Sequence, residues 1–171
     1  MSDSKVILNK YSFYELAVKP TKTDLEEYYS KKYYQDNKGS YEVNYTEDEL
    51  LYFKNKIEQK YFVIDKLIST ENKSMLDIGC GEGFTLKYFK DKNWSVKGID
   101  YSDFGCKKFN PDCVNDLLIG DIFEQMIPLI KSETKFDIVW RDNVLEHVLD
   151  PLELLKECKK LMNKNGILVI E

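Results

Sequence analysis

Histidine is almost missing from this 171-residue sequence. His147 stands alone, and the four cysteines form no CxxC pair, so no Cys/His set has the spacing of a zinc site. Cys80, Cys106, Cys113 and Cys158 therefore read as reduced thiols. A basic surplus is missing too: 25 lysines and arginines face 30 aspartates and glutamates, giving a formal net charge of −5. That balance argues against a broad electrostatic footprint for nucleic acid or for an anionic membrane. No apolar run reaches bilayer-spanning length, and the N-terminal stretch MSDSKVILNKYSFYEL lacks the basic-then-apolar order of a signal peptide. The expectation is a cytoplasmic protein with a small-molecule partner and no nucleic acid, membrane or metal ion among its ligands.

What is present changes character near residue 70. Ten of the twelve tyrosines lie in residues 1–61, whereas seven of the eight glycines follow residue 78. Two regions are expected, a helical lid or substrate region over 1–70 and a ligand-binding domain over 71–171. In the first, Thr46 to Glu49 forms a capping box, and apolar residues then recur at helical spacing to about Leu67. A shorter helix follows a threonine cap near Thr21. Tyrosine combines a large apolar face with a polar tip, so Tyr33, Tyr34 and Tyr41 are the candidates for covering a ligand.

From Met75 onward, short apolar runs alternate with helical segments. The strands are MLDIG, SVKGID, LLIGD, FDIVW and GILVIE, and helices are expected at 83–91, from about Ser102, at 122–131 and after Asp150-Pro151. Asp150 reads as an N-cap with Glu153 reaching back to it. This alternation predicts an α/β fold with a doubly wound parallel sheet, whose ligand lies beyond the carboxyl ends of the strands.

The segment Asp77-Ile78-Gly79-Cys80-Gly81-Glu82-Gly83 sits between a strand and a helix. Alternating glycines let the backbone turn tightly and approach a ligand closely. Asp100 ends the next strand, where a carboxylate can accept the hydroxyls of a ribose. Together they point to a nucleoside. The third glycine comes one position too early for a nicotinamide-binding loop, and Asp77 would oppose a pyrophosphate while suiting an ammonium or sulfonium charge.

These residues resemble the class I S-adenosylmethionine-dependent methyltransferases, of the small-molecule kind that carries a VLEHV segment. LDIGCGEG matches the first motif, GIDYS the second, Gly120-Asp121 the third and FDIVWRDNVLEHVLDP the fourth. The resemblance implies a Rossmann-like sheet with strands in the order 3-2-1-4-5. It also implies that Asp77, Gly79, Cys80, Gly81 and Gly83 shape the methionine end of an S-adenosylmethionine pocket and that Asp100 binds the ribose. Asp121 would reach the adenine amine, Tyr101 and Ile122 would flank the base, and the backbone at Arg141 and Asp142 would approach the methionine head group. His147, whose imidazole type changes charge near neutral pH, is the candidate general base, and Glu146 a candidate for holding a substrate cation. A sugar or sugar-nucleotide hydroxyl is the expected acceptor. The alternatives are a noncatalytic cofactor-binding or assembly module and a nicotinamide-dependent oxidoreductase.

Family sheets normally have seven strands and end in an antiparallel hairpin, so a chain stopping at Glu171 is expected to show an incomplete sheet. Its last strand would be left with an open edge. Residues 167–171 are expected to be poorly ordered, to pair with a second copy in a homodimer, or to be covered by an N-terminal segment.

Overall fold

The computed structural model describes residues 6–29, 44–70 and 72–171. Tyr33, Tyr34 and Tyr41 lie outside the described residues. The chain opens with β1 (Val6–Leu8) and β2 (Tyr14–Leu16), which pair antiparallel around an Asn9 turn. Two helices follow, α1 (Lys22–Glu27) and the six-turn α2 (Glu47–Leu67). Both open on complete capping boxes: Thr21 exchanges hydrogen bonds with Asp24, and Thr46 with Glu49.

The sheet is built from β3 (Ser74–Ile78), β4 (Ser95–Asp100), β5 (Leu117–Ile119), β6 (Phe136–Arg141) and β7 (Met162–Ile170). Every pairing is parallel, and the spatial order is β5-β4-β3-β6-β7, the expected 3-2-1-4-5. Between the strands run α3 (Phe84–Lys90), α4 (Phe104–Phe109), α5 (Ile122–Lys131) and α6 (Pro151–Leu161). Asp150 caps α6 as expected, but Glu153 takes Lys156 at 3.0 Å instead of reaching back to the cap.

Because successive residues of a strand face opposite sides, β3 and β6 feed two cores. Met75, Ile138 and Trp140 join Ile57 and Ile64 of α2 and Leu86 and Phe89 of α3 on one side. Leu76, Ile78 and Val139 join Met126 and Leu129 of α5 and Leu154 and Leu161 of α6 on the other. The amphipathic pattern of α2 is thereby satisfied against the sheet.

The first turn of β7 is irregular. Phe136 pairs with Met162 but Ile138 with Ile167, so the intervening residues of β7 bulge around Gly166. Buried Asp137 pins this bulge: one oxygen accepts from Asn163 at 2.8 Å, and the other accepts from the Ser74 backbone and hydroxyl at 3.0 and 2.9 Å.

Beyond its bulge β7 continues as a strand through Ile170, and among the described residues no strand pairs with its outer edge, the open edge expected from the sequence. The N-terminal region reaches β7 by another route. Lys56 and Lys60 of α2 form ion pairs with Glu171, while the core face of α2 lies in the same cluster as Ile167 and Val169.

Candidate functional site

β3, β4 and β6 end side by side, and the loops that follow them enclose a cavity of about 410 Å³. Gly79 turns the chain away from β3 at φ +73°, with its N–H donating to the Ile99 carbonyl at 2.8 Å. A Cβ at Gly79 would stand 2.4 Å from Val144 Cγ2, a contact no side chain can occupy. Gly81 (φ +52°) donates its N–H to Asp100 Oδ2 at 2.9 Å, which ties the glycine loop to the end of β4. Gly83 (φ +77°) opens α3 from the left-handed region, where glycine is the least strained residue.

The cavity wall contains Gly79, Gly81, Asp100, Tyr101, Asp121, Ile122, Asp142 and His147 of the residues expected from the sequence. Asp100 also accepts from Ser102 N–H at 3.1 Å; withdrawal from water nevertheless raises its carboxyl to about 6. Asp121 caps α5 through Glu124 N–H at 3.1 Å and accepts from the Tyr101 hydroxyl at 2.8 Å. Asp142 is drawn toward α2 by Lys60 at 2.9 Å. Asp77 is buried at the end of β3, and burial together with Asp142 and Asp100 pushes its carboxyl well above the usual range despite nearby Lys60. Asp77 lies behind the cavity lining, whose acidic residues are Glu82, Asp100, Asp121 and Asp142; these carboxylates around a glycine-lined hollow favour a ligand carrying positive charge.

Other expected residues sit elsewhere. Cys80 turns into the core beside Gly98, where burial pushes its thiol well up. Gly83 lies outside the cavity lining and packs against Cys106. The Arg141 side chain is completely buried on the α6 side of the sheet, and among the described residues none of its three nitrogens has a hydrogen-bond partner. Burial lowers its affinity for a proton, with Cys158 and Glu146 acting in the opposite sense. Glu146 lines a neighbouring cavity, with its carboxylate 3.7 Å from His147 Nε2.

Residues not foreseen as cavity lining come from the N-terminal region, the glycine loop, α5 (Phe123) and the segment after β6 (Asn143, Val144, Val148 and Leu149). α1 contributes Lys22 and Leu25, and Tyr29 follows it. The Tyr29 ring stacks on Tyr101 at 5.9 Å and meets His147 edge-on at 6.1 Å. Lys22 holds Glu124 at 2.5 Å and Asp121 at 3.6 Å, so α1 is fastened over the adenine end of the expected pocket. Glu82 lines the cavity and accepts from the Tyr45 hydroxyl at 2.9 Å.

Residues 76–170, more than half of the chain, match the family described as "Methyltransferase domain". The chain belongs to this methyltransferase-domain family. It is 36% identical over 102 residues to a ubiquinone biosynthesis O-methyltransferase of Rhodopseudomonas palustris, covering 58% of this chain and 40% of that protein. It is 29% identical over 116 residues to a tRNA U34 carboxymethyltransferase of Nautilia profundicola, covering 66% of this chain and 38% of the relative. The chain spans about half the length, or less, of the curated relatives it matches. Its fold is shared with the plantazolicin methyltransferase BpumL, solved in complex with SAH, at a TM-score of 0.56 and 16% identity over 85% of this chain and 56% of that one. In this methyltransferase domain no helix among the described residues is long and apolar enough to cross a membrane.

Proposed function

We propose that this methyltransferase domain binds S-adenosylmethionine in the 410 Å³ cavity and serves methyl transfer to a small molecule. The observation that carries this is the convergence of Gly79, Gly81 and Asp100 on one hollow, with the Gly81 N–H held by the Asp100 carboxylate. The volume is in the range of cofactor sites, and the contact at Gly79 shows why no side chain fits there. Asp100 keeps acceptor capacity for ribose hydroxyls, and Tyr101 and Ile122 supply the flanking surface for a base. Asp142 places a carboxylate at the other end.

When bound, the cofactor supplies a methyl group already activated on a sulfonium. The protein then has mainly to align the acceptor and exclude water, which is worth several kcal/mol of barrier. Tyr29 and α1 cover the cavity, and His147 stands at its wall to take a hydroxyl proton. The relative's name supports a hydroxyl acceptor. The sugar hydroxyl inferred from motif resemblance rests on less, and the net charge of −5 disfavours a nucleic-acid acceptor. Among the described residues the outer edge of β7 has no strand partner, and a second copy of the chain could pair with it.

Calorimetric titration with S-adenosylhomocysteine tests the cofactor site. Asp100→Ala is expected to weaken binding by about 1.5–3 kcal/mol, the usual worth of a hydrogen bond to a charged group. Unchanged affinity would remove Asp100 from the ribose site; tighter binding of NAD would replace the reading with an oxidoreductase.

A further inference from the structure

A second cavity, of about 490 Å³, lies between the β1–β2 hairpin and the turn that follows β6. Phe13, Leu16 and Pro20 form its outer wall, Leu145 and Pro151 its inner wall. It shares Leu25, Tyr29, His147, Val148 and Leu149 with the cofactor cavity, so these residues stand where the hollows meet, and Tyr29 and His147 are the polar side chains among them. We propose that this second cavity receives the methyl acceptor, and that the acceptor carries its hydroxyl on a mainly apolar body without anionic groups. The proposal rests on the cofactor reading above and adds the substrate class and the elements that bind it.

Three arguments support that occupant. The walls away from His147 are aliphatic, aromatic or proline surface, which gains by covering apolar area and offers few partners for the many hydroxyls of a sugar. The one cation among the described rim residues is already engaged: Lys19 pairs with Glu15 at 2.8 Å and donates to the Leu149 carbonyl at 2.9 Å. An anionic acceptor would therefore meet no free counter-charge among the described rim residues. Finally, His147 belongs to both cavities, so a hydroxyl reaching from one toward the other passes the imidazole. In the transfer the acceptor oxygen bonds the methyl carbon as the S–CH₃ bond breaks. That bond's electron pair stays on sulfur as a neutral thioether, and the hydroxyl proton passes to His147.

The Lys19 bond to Leu149 anchors the hairpin as the cavity's roof. The hairpin thereby acts as a binding element for the acceptor.

The test uses the whole chain saturated with S-adenosylhomocysteine and titrated by NMR with p-cresol and, separately, with methyl β-glucoside. Saturable p-cresol binding is expected, weakened about tenfold or more by Leu16→Arg and by Phe13→Ala, while S-adenosylhomocysteine affinity stays within about twofold. Leu16 is exposed on the hairpin, so its variant is expected to keep the fold. Stronger binding of the glucoside, no p-cresol binding to the cofactor-loaded chain, or p-cresol binding unchanged in both variants overturns the acceptor assignment alone. If the wild-type chain fails to bind S-adenosylhomocysteine, the cofactor reading falls and takes this inference with it.

Discussion

Burial pushes the Asp100 carboxyl up to about 6, against N–H groups of Gly81 and Ser102 that hold it down. In the empty chain this proton is bound more tightly folded than unfolded. The group's contribution to stability is thus present below about pH 4 and is lost as pH rises through about 6. A ribose that hydrogen-bonds the charged carboxylate reverses the preference. Cofactor affinity should therefore be greatest above pH 6 and fall as pH drops below it, approaching about tenfold per unit if only the charged form binds. Calorimetry from pH 5 to 8 reads this directly, and a flat profile removes the coupling. Gly79→Ala acts on the same site through sterics. The left-handed φ costs an alanine roughly 1–2 kcal/mol, and the methyl must displace the stiff Val144. We expect a Tm lowered by several degrees and loss of cofactor binding; a variant as stable as wild type would refute the close contact. A single residue read alone can also mislead. Arg141 is expected at the site through its backbone, but it does not line the cavity, and strand alternation turns its side chain beneath α6. Tyr29, which stacks over the cavity, offers no motif to set it apart from the tyrosines after it.

At the scale of elements, local chemistry made much of the fold legible. The Thr46 box and the apolar repeat after it point to α2, and the short apolar runs bounded by turns point to five parallel strands, whose observed order is the one implied by the motif resemblance. Elements whose stability comes from distant contacts were not legible. The β1–β2 hairpin has only three residues per strand and exposed apolar side chains; its anchor, Lys19 on Leu149, spans 130 positions. The bulge of β7 is similarly set by Asp137, which binds β3 and the bulge together. Burial pulls this carboxyl up, but the bonds from Ser74 and Asn163 outweigh it and hold it below its ordinary value. Its stabilising contribution is present above about pH 4 and lost as pH falls below. Asp137→Ala should destabilise the chain by about 2–4 kcal/mol, since it leaves the Ser74 N–H and the Asn163 amide without their partner. Urea unfolding at pH 7 measures the loss, and the difference between variant and wild type should shrink at pH 3. A constant difference would show that packing, rather than the charge, holds the bulge.

Across the whole molecule, the sheet separates two cores that share no side chains, and all four cysteines are buried in them. Cys80, Cys106 and Cys113 lie on the α2–α3 side, and Cys158 on the α5–α6 side. Burial raises every thiol, Cys106 to about 12 and Cys158 to about 11, so none presents a reactive thiolate while the chain is folded. Each cysteine is therefore a natural clock for the opening of its own side. Pulsed alkylation read by peptide mass spectrometry should leave all four unmodified over minutes in native buffer. In sub-denaturing urea, equal labelling rates for Cys158 and Cys113 would mean that the two halves open as one cooperative unit; earlier labelling of Cys158 would mean that the α5–α6 layer peels away first.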